Sequence, residues 1–250
     1  MIDIHTHILP GVDDGASDHE TSIAMAQIAQ ESGVTDMIVT PHSNQRSRYE
    51  NYVSDDLEDR LLLLRTVLEK ADVGVNIHRG MEVFGTPDVP RLLRQGRICT
   101  LAGSRYLLVE FALRENPFFM EDLLRRIRAE GVEPIVAHPE RYHALQNMPE
   151  ILFDWCAEGF WLQVNKGSFF GSFGSAARRT ANLMLAHDLA AIVASDAHGA
   201  YRRTPDLSRV QDLIATQYSH RQASRLLENN PQRILRDEPL LPGEPDRFSY

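Results

Sequence analysis

The chain is 250 residues long, with 43% hydrophobic and 24% charged residues, enough apolar material for one large domain or two small ones and too much for a disordered chain. Its net charge of −9, with histidine neutral, argues against a protein that coats nucleic acid through a basic surface. No apolar run approaches the ~20 residues that span a bilayer, and two cysteines make no disulfide framework, so the sequence reads as a cytoplasmic protein without membrane insertion.

The opening Met1-Ile2-Asp3-Ile4-His5 lacks the basic start and apolar stretch of a signal peptide. Residues 2–4 form the first predicted strand, which runs into His5-Thr6-His7. Ser17 and Glu20 make a Ser-x-x-Glu capping box ahead of a helix carrying Ala24, Met25, Ile28 and Ala29. A second strand, 37–40, ends at Pro41-His42. Leu57, Leu61, Leu64 and Leu68 fall on one helical stripe, and a third strand at 75–82 ends in Glu82. The fourth strand, 106–111, holds the apolar run Tyr106-Leu107-Leu108-Val109 and ends beside Glu110. Met120, Leu123, Leu124 and Ile127 mark the next helix, and the fifth strand, 134–137, leads into His138. A sixth strand at 161–164 precedes a helix with Ala177, Ala181 and Met184. The seventh, 191–195, runs into Asp196-Ala197-His198. Val210, Leu213 and Ile214 lie on a following helix, and Leu226 and Leu227 on the last. Residues 237–250, which include Pro239, Pro242, Gly243 and Pro245, read as an extended tail after a single domain over 1–236.

Seven strands, each followed by a helix or a long crossover, imply a parallel α/β fold, and near-continuous apolar runs suit strands buried on both faces. A distorted seven-stranded barrel is favoured over an open sheet, because nearly every predicted strand ends in His, Asp or Glu. Barrel enzymes gather their sites from the C-terminal ends of many strands.

Side chains at i and i+2 of a strand point the same way, so His5 and His7 can reach one metal. His42, Glu82, Glu110, His138, Asp196 and His198 occupy the other strand ends. With one acid from the Asp13-Asp14 pair they make five imidazoles and four carboxylates, enough for two or three divalent ions. Mixed nitrogen and oxygen ligation fits Mn, Fe or Zn better than Mg or Ca. The bland alternative needs a separate partner for each buried charge, which is costly. His19, His187 and His220 fall on predicted helices and read as surface or half-buried groups. His78 sits inside the third strand, short of its functional end, and His143 stands near the site with no assigned role. Cys99 and Arg105 have the Cys-x5-Arg spacing of cysteine-dependent tyrosine phosphatases. Here Arg105 leads into a strand rather than a phosphate-cradling helix, so the spacing reads as chance.

The opening Met1-Ile2-Asp3-Ile4-His5-Thr6-His7-Ile8-Leu9-Pro10-Gly11-Val12-Asp13-Asp14-Gly15-Ala16 resembles that of the bacterial manganese-dependent protein tyrosine phosphatases. These belong to the polymerase-and-histidinol-phosphatase (PHP) superfamily and are associated with capsule and exopolysaccharide synthesis. The resemblance continues through Thr40-Pro41-His42, Gly80-Met81-Glu82, residues 106–111, residues 137–142 and Ala194-Ser195-Asp196-Ala197-His198, and ends near Asn230-Pro231. It implies a distorted TIM-like (β/α)7 barrel with three metal ions, manganese foremost and Fe or Zn as alternatives. One ion would take His5, His7, Glu82 and Asp196; a second would share Glu82 and take Glu110 and His138; a third would take Asp14, His42 and His198. Asp13 is then left to support a ligand or shape the loop. Arg141 and Arg203 would hold the substrate phosphate, with Arg202 an adjacent alternative to Arg203. Arg46 and Arg48 follow His42 and read as a solvated loop rather than part of the site.

The reaction implied is hydrolysis of phosphotyrosine by a metal-activated water. The implied substrate is the tyrosine-rich tail of an autokinase that drives polysaccharide assembly. Three rivals stand beside it. A histidinol-phosphate phosphatase would share the metals and differ in the pocket, where Phe169, Phe170 and Phe173 are candidate lining residues. A PHP nuclease is disfavoured by the acidic balance. A metal-binding protein without turnover is disfavoured by the complete ligand set.

Overall fold

The computed structural model describes residues 1–246, which contain nine strands, all paired in parallel. They are β1 (Ile2–Thr6), β2 (Asp36–Val39), β3 (His42–Ser43), β4 (Asn76–Arg79), β5 (Glu82–Phe84), β6 (Tyr106–Glu110), β7 (Glu133–Ala137), β8 (Trp161–Asn165) and β9 (Ile192–Ala194). One sheet has the order β1-β2-β4 and the other β3-β5-β6-β7-β8-β9. The second and third predicted strands are therefore each broken in two. Pro41 offers no N–H to continue the ladder after β2, and Gly80 has no side chain to pack between β4 and β5. At each break the chain changes sheets.

The two sheets meet where β9 returns to β1. A parallel bridge pairs Thr6 with Ala197, flanked by Asp196 N–H donating to His5 O and His7 N–H donating to Ala197 O, both at 2.9 Å. Seven strand positions thus run around a distorted barrel.

Alternation along the strands sorts the core. Leu107, Val109, Val136, Leu162, Val164 and Val193 pack outward with the helices. Ile2, Ile4, Tyr106, Leu108, Ile135, Ala137, Ile192 and Ala194 form a second, interior cluster. Extending that parity by one step places Glu110 above Leu108 and Asp196 above Ala194. It also places Gln163 and Asn165 in line with Trp161. On β1 strict alternation would turn His5 away from the side that Ile4 faces. The register slips between Asp3 and Thr6, and this bulge brings His5 back to the interior.

The helices follow their capping and stripe signals. They are α1 (His19–Glu31), α2 (Asp55–Lys70), α3 (Val89–Arg94), α4 (Pro117–Arg128), α5 (His143–Asn147), α6 (Glu150–Ala157), α7 (Lys166–Phe169), α8 (Gly174–Ala186), α9 (Ser208–Gln217), α10 (His220–Ser224) and α11 (Asn230–Leu235). Leu57, Leu61, Leu64 and Leu68 are the buried stripe of α2, and Met120, Leu123, Leu124 and Ile127 that of α4. The start of α1 differs from the predicted capping box. Asp18 is the N-cap, accepting from Thr21 N–H at 2.8 Å, and Ser17 only donates to the Asp18 carboxylate. A carboxylate one residue closer to the helix captures the free N–H groups first. Leu226 and Leu227 are buried in a π-helical turn, Arg225–Asn229, rather than a plain α-helix.

Residues 237–246 contain no helix or strand and are pinned to the barrel. Tyr106 Oη accepts from Leu240 N–H at 3.0 Å, Asn230 Oδ1 from Leu241 N–H at 2.8 Å, and Asp188 Oδ2 from Glu244 N–H at 2.7 Å. Residues 247–250 of the expected tail lie outside the described residues. Among the described residues no helix is long and apolar enough to cross a membrane.

Cys99 is buried, near Arg79 and Glu58, and burial pushes its thiol up to about 11. Arg105 is paired with Asp237 at 3.0 Å, and neither Cys99 nor Arg105 lines the main cleft. Cys99→Ser is expected to leave the activity of the folded protein unchanged, and iodoacetamide is expected to label the native protein slowly at neutral pH, because little thiolate exists there. Loss of turnover in a folded Cys99→Ser protein would contradict this.

Candidate metal centre

The C-terminal ends of the strands open into a cleft of about 570 Å³. Every candidate ligand reaches it or the cluster beneath it. His5 on β1 and His7 just past its end are fully buried, Glu82 is fully buried at the start of β5, and Glu110 ends β6. His138 follows β7 directly and Asp196 lies two residues past the end of β9, and both adopt left-handed backbone, with φ of 37° and 51°. Non-glycine residues hold such conformations only where surrounding structure imposes them, often at functional sites.

Glu82 lies at the centre. Its Oε1 is 3.2 Å from His5 Nε2 and 3.0 Å from His138 Nε2; its Oε2 is 3.3 Å from His7 Nε2 and 3.0 Å from His42 Nδ1. Asp196 Oδ1 is 3.5 Å from His5 Nε2, 3.6 Å from His7 Nε2 and 3.5 Å from His198 Nδ1. Asp14 Oδ1 faces His42 Nε2 at 3.4 Å and His198 Nε2 at 3.6 Å, while His42 Nδ1 is 2.9 Å from Glu110 Oε1. Three groups of ligand atoms are tight enough to share an ion: His5, His7 and Asp196; His42, Glu82 and Glu110; and His7, Asp14, His42 and His198. His42 joins two groups, one through each ring nitrogen. His138 belongs to none of these groups and meets the cluster through Glu82.

Burial opposes a charge on Glu82 and on Asp196, yet the facing imidazoles, His5 foremost, hold both carboxyls well below the usual carboxylate range. Hydrogen bonds from His198 and His42 do the same for Asp14. The converse holds for the rings. Burial opposes their protonation, but Glu82 raises His5 and His42, and Asp13 raises His7. His198 is lowered, by burial and by His7 beside it. Carboxylates and imidazoles thus favour each other's charged forms here, and a bound cation would take the place of ring protons.

The donor set fits divalent metal ions. Metal–ligand distances of about 2.0–2.2 Å place neighbouring ligand atoms about 3.0–3.5 Å apart, close to the contacts above. Glu82 Oε2 and His138 Nδ1 are buried and lack a well-formed hydrogen bond. Buried polar atoms without such a bond, inside a charged cluster, suit coordination to a cation.

Supporting contacts fix the rings. Asp13, the acid left without a ligand role, accepts from His7 Nδ1 at 2.7 Å, His42 N–H at 3.0 Å and Gly15 N–H at 3.0 Å. Gln163 Oε1 lies 2.8 Å from His5 Nδ1, which directs His5 Nε2 at the cluster. Gln163 Nε2 donates to Asn165 Oδ1 at 2.9 Å, and Asn165 Nδ2 donates to Asp196 Oδ2 at 2.5 Å. Gln45 Nε2 donates to Glu110 Oε1. Sequence reading missed Gln45, Gln163 and Asn165. The interior parity of β8 is the one signal that would have found the last two.

Gly15 makes the Asp13-Asp14 turn possible. A Cβ there would lie 2.0 Å from His7 O and 2.4 Å from His7 Cβ. Gly15→Ala is expected to push the turn off His7 and lower kcat/KM by ~10–100-fold, the range for losing a partner that orients a metal ligand. A variant with wild-type kcat/KM would contradict the role of the turn.

Two arginines overlook the cluster. Arg203 Nη2 is 2.6 Å and Arg141 Nη1 3.4 Å from Asp196 Oδ2, and both line the cleft. Arg203 has a φ of 49°, and its O accepts from His198 N–H at 2.9 Å, closing the loop that aims it inward. Arg202 is exposed and does not line the cleft. Arg46 and Arg48 are exposed, as expected of a solvated loop, and stand at the rim of the cleft. Arg46 pairs with Asp88 at 2.8 Å, and Arg48 lies 3.8 Å from Asp14. Of the three phenylalanines, Phe169 is buried, Phe170 is exposed beneath Arg209, and none lines the cleft. His143 is exposed at the start of α5, and His78 pairs with Asp36 at 2.9 Å and does not line the cleft.

Known proteins bear on this arrangement. Residues 1–236 match the family described as capsular polysaccharide synthesis, CpsB/CapC. The chain is 31% identical to tyrosine-protein phosphatase CpsB of Streptococcus pneumoniae, over 95% of this chain and 99% of that one. It is 30% identical to tyrosine-protein phosphatase YwqE of Bacillus subtilis, over 98% and 95%. A solved structure from work on YwqE and CpsB, described as unique metal-dependent tyrosine phosphatases, aligns over 100% of both chains with a TM-score of 0.93 at 29% identity. On the extent of these matches, the chain belongs to the CpsB/CapC family of capsular polysaccharide synthesis.

Proposed function

We propose that this protein is a metal-dependent protein tyrosine phosphatase acting in capsular or exopolysaccharide synthesis. The observation that carries the reading is the convergence of five imidazoles, four carboxylates and two arginines on one cleft. Its ligands are His5, His7, Asp14, His42, Glu82, Glu110, His138, Asp196 and His198. They hold three divalent ions, manganese foremost. Bound there, such ions neutralise phosphoryl oxygens and acidify water.

The chain's own residues do the rest. Arg141 and Arg203 turn from Asp196 to the phosphoryl oxygens, where planar guanidinium groups make paired contacts. Asp14, the most exposed of the ligand carboxylates, faces incoming substrate at the mouth of the cluster. Phe84 and Leu113 line the cleft and offer an apolar wall to an aryl ring. The departing phenolate has a parent pKa of about 10, so it leaves with little help from an acid. The substrate we favour is the tyrosine-rich tail of an autokinase in polysaccharide assembly, in the cytoplasm.

A substrate panel with added Mn²⁺ tests this. The account predicts a higher kcat/KM on a phosphotyrosyl peptide than on histidinol phosphate or a dinucleotide diester. Preference for histidinol phosphate would make the protein a small-molecule phosphatase. Preference for the diester would make it a nuclease.

A further inference from the structure

Two guanidinium groups that converge repel each other, so something besides substrate must keep Arg141 and Arg203 together. They share Asp196 Oδ2, but that carboxylate is also a proposed metal ligand, and its charge is then divided. They share a second neighbour. The Arg141 guanidinium carbon lies 4.3 Å from the centroid of the Phe173 ring, and that of Arg203 lies 5.5 Å from the same centroid. Both distances fall within cation–π range, and an aromatic face attracts cations without competing for the N–H groups that a phosphate needs.

The loop is built to present that ring. Gly171 and Gly174 bracket Phe173 with φ of +79° and +92°, conformations that L side chains rarely adopt, and Phe173 itself sits at the N-terminus of α8. Gly167 lets the ring settle against the backbone: a Cβ there would lie 3.1 Å from Phe173 Cε2. The same loop is tied to the segment that carries Arg141. Glu140, its immediate neighbour, is fully buried and accepts from Ser168 Oγ at 2.6 Å and Asn165 N–H at 3.0 Å. Glu140 thus ties the Arg141 segment to the one that leads to the ring, and the His198 N–H bond to Arg203 O holds the Arg203 loop closed on itself.

We propose that Phe173 is a positioning residue: its face gathers Arg141 and Arg203 into a single clamp for the substrate phosphate. The proposal rests on the reading that these arginines bind phosphate. Phe173 acts through them and does not touch the phosphate itself. Losing the π face while keeping apolar bulk thus weakens phosphate recognition and spares the chemistry that follows.

The test uses Phe173→Leu, Phe173→Met and Phe173→Trp, with Arg141→Ala and Arg203→Ala alongside. KM and kcat are read on a phosphotyrosyl peptide, the inhibition constant is read with inorganic phosphate, and Tm is read for folding. Leu and Met are expected to raise KM and the phosphate inhibition constant together by ~3–30-fold, the range for losing cation–π contacts, with kcat changed less than about threefold. Trp is expected to restore both constants. If Leu and Met leave the phosphate constant unchanged while the arginine variants raise it, the ring has no positioning role. If the arginine variants also leave it unchanged, the reading of the arginines has failed, and the proposal with it. Equal losses in Leu, Met and Trp, tracking Tm, would reduce Phe173 to packing.

Discussion

Glu82→Ala is expected to lower kcat/KM on a phosphotyrosyl peptide by at least ~10³-fold, and to shrink the rise in Tm that added Mn²⁺ gives the wild-type protein. Glu82 is fully buried and stands against His5, His7, His42 and His138. Among the described residues it is the one carboxylate that touches His5 and His7 as well as His42 and His138. Partners one step removed from a metal cost ~10–100-fold, so a central ligand costs more. The Glu82 side chain is no part of the interior apolar cluster, and the substitution leaves its backbone pairing with His42 and Leu108 in place. Circular dichroism of the variant is therefore expected to match wild type. A variant that keeps its turnover and its Mn²⁺-induced Tm shift would remove Glu82 from the centre of the site.

Arg141→Ala and Arg203→Ala are expected to cost ~10–100-fold each in kcat/KM, the range for losing a charged hydrogen-bonding partner of a phosphoryl group. The double variant is expected to lose less than the product of the two, because the arginines share Asp196 and Phe173 and so are coupled. Arg202→Ala is the control, since Arg202 is exposed and outside the cleft, and its kinetics are expected to match wild type. Loss of activity in Arg202→Ala with none in Arg203→Ala would mean that the loop after β9 is shifted by one residue.

Much of this was written in the sequence. Parallel strands buried on both faces show as Leu107-Leu108-Val109 and Ile192-Val193-Ala194, and chemistry-bearing residues stand at their ends. The structure brings all nine candidate ligands to one place, because strand parity and strand termini are local properties. What escaped sequence reading depends on distant contacts. The β1 bulge that keeps His5 on the interior side is set by pairing with β2, more than thirty residues away. The break at Gly80 reflects close approach to Ile38, whose Cγ2 a Cβ at that position would meet at 2.7 Å. Gln163 and Asn165 looked like ordinary strand polar residues, and only their bonds to His5 and Asp196 give them a role. Phe173 read as a core or pocket aromatic until two arginines were found against its face. Asp18 displaced Ser17 as the cap of α1 for a subtler reason, since two adjacent residues both had the right chemistry.

Three divalent ions would add about +6 to a chain that carries a net −9, concentrated where four of its carboxylates converge. The acidic balance of the whole chain is thus compatible with an anionic substrate at this one cleft.

The most direct measurement is turnover of a phosphotyrosyl peptide by chelator-stripped protein, followed through readdition of Mn²⁺. The account predicts that activity vanishes on stripping, returns as the metal saturates the site, and does neither in Glu82→Ala. Undiminished turnover by protein shown to be metal-free would contradict it.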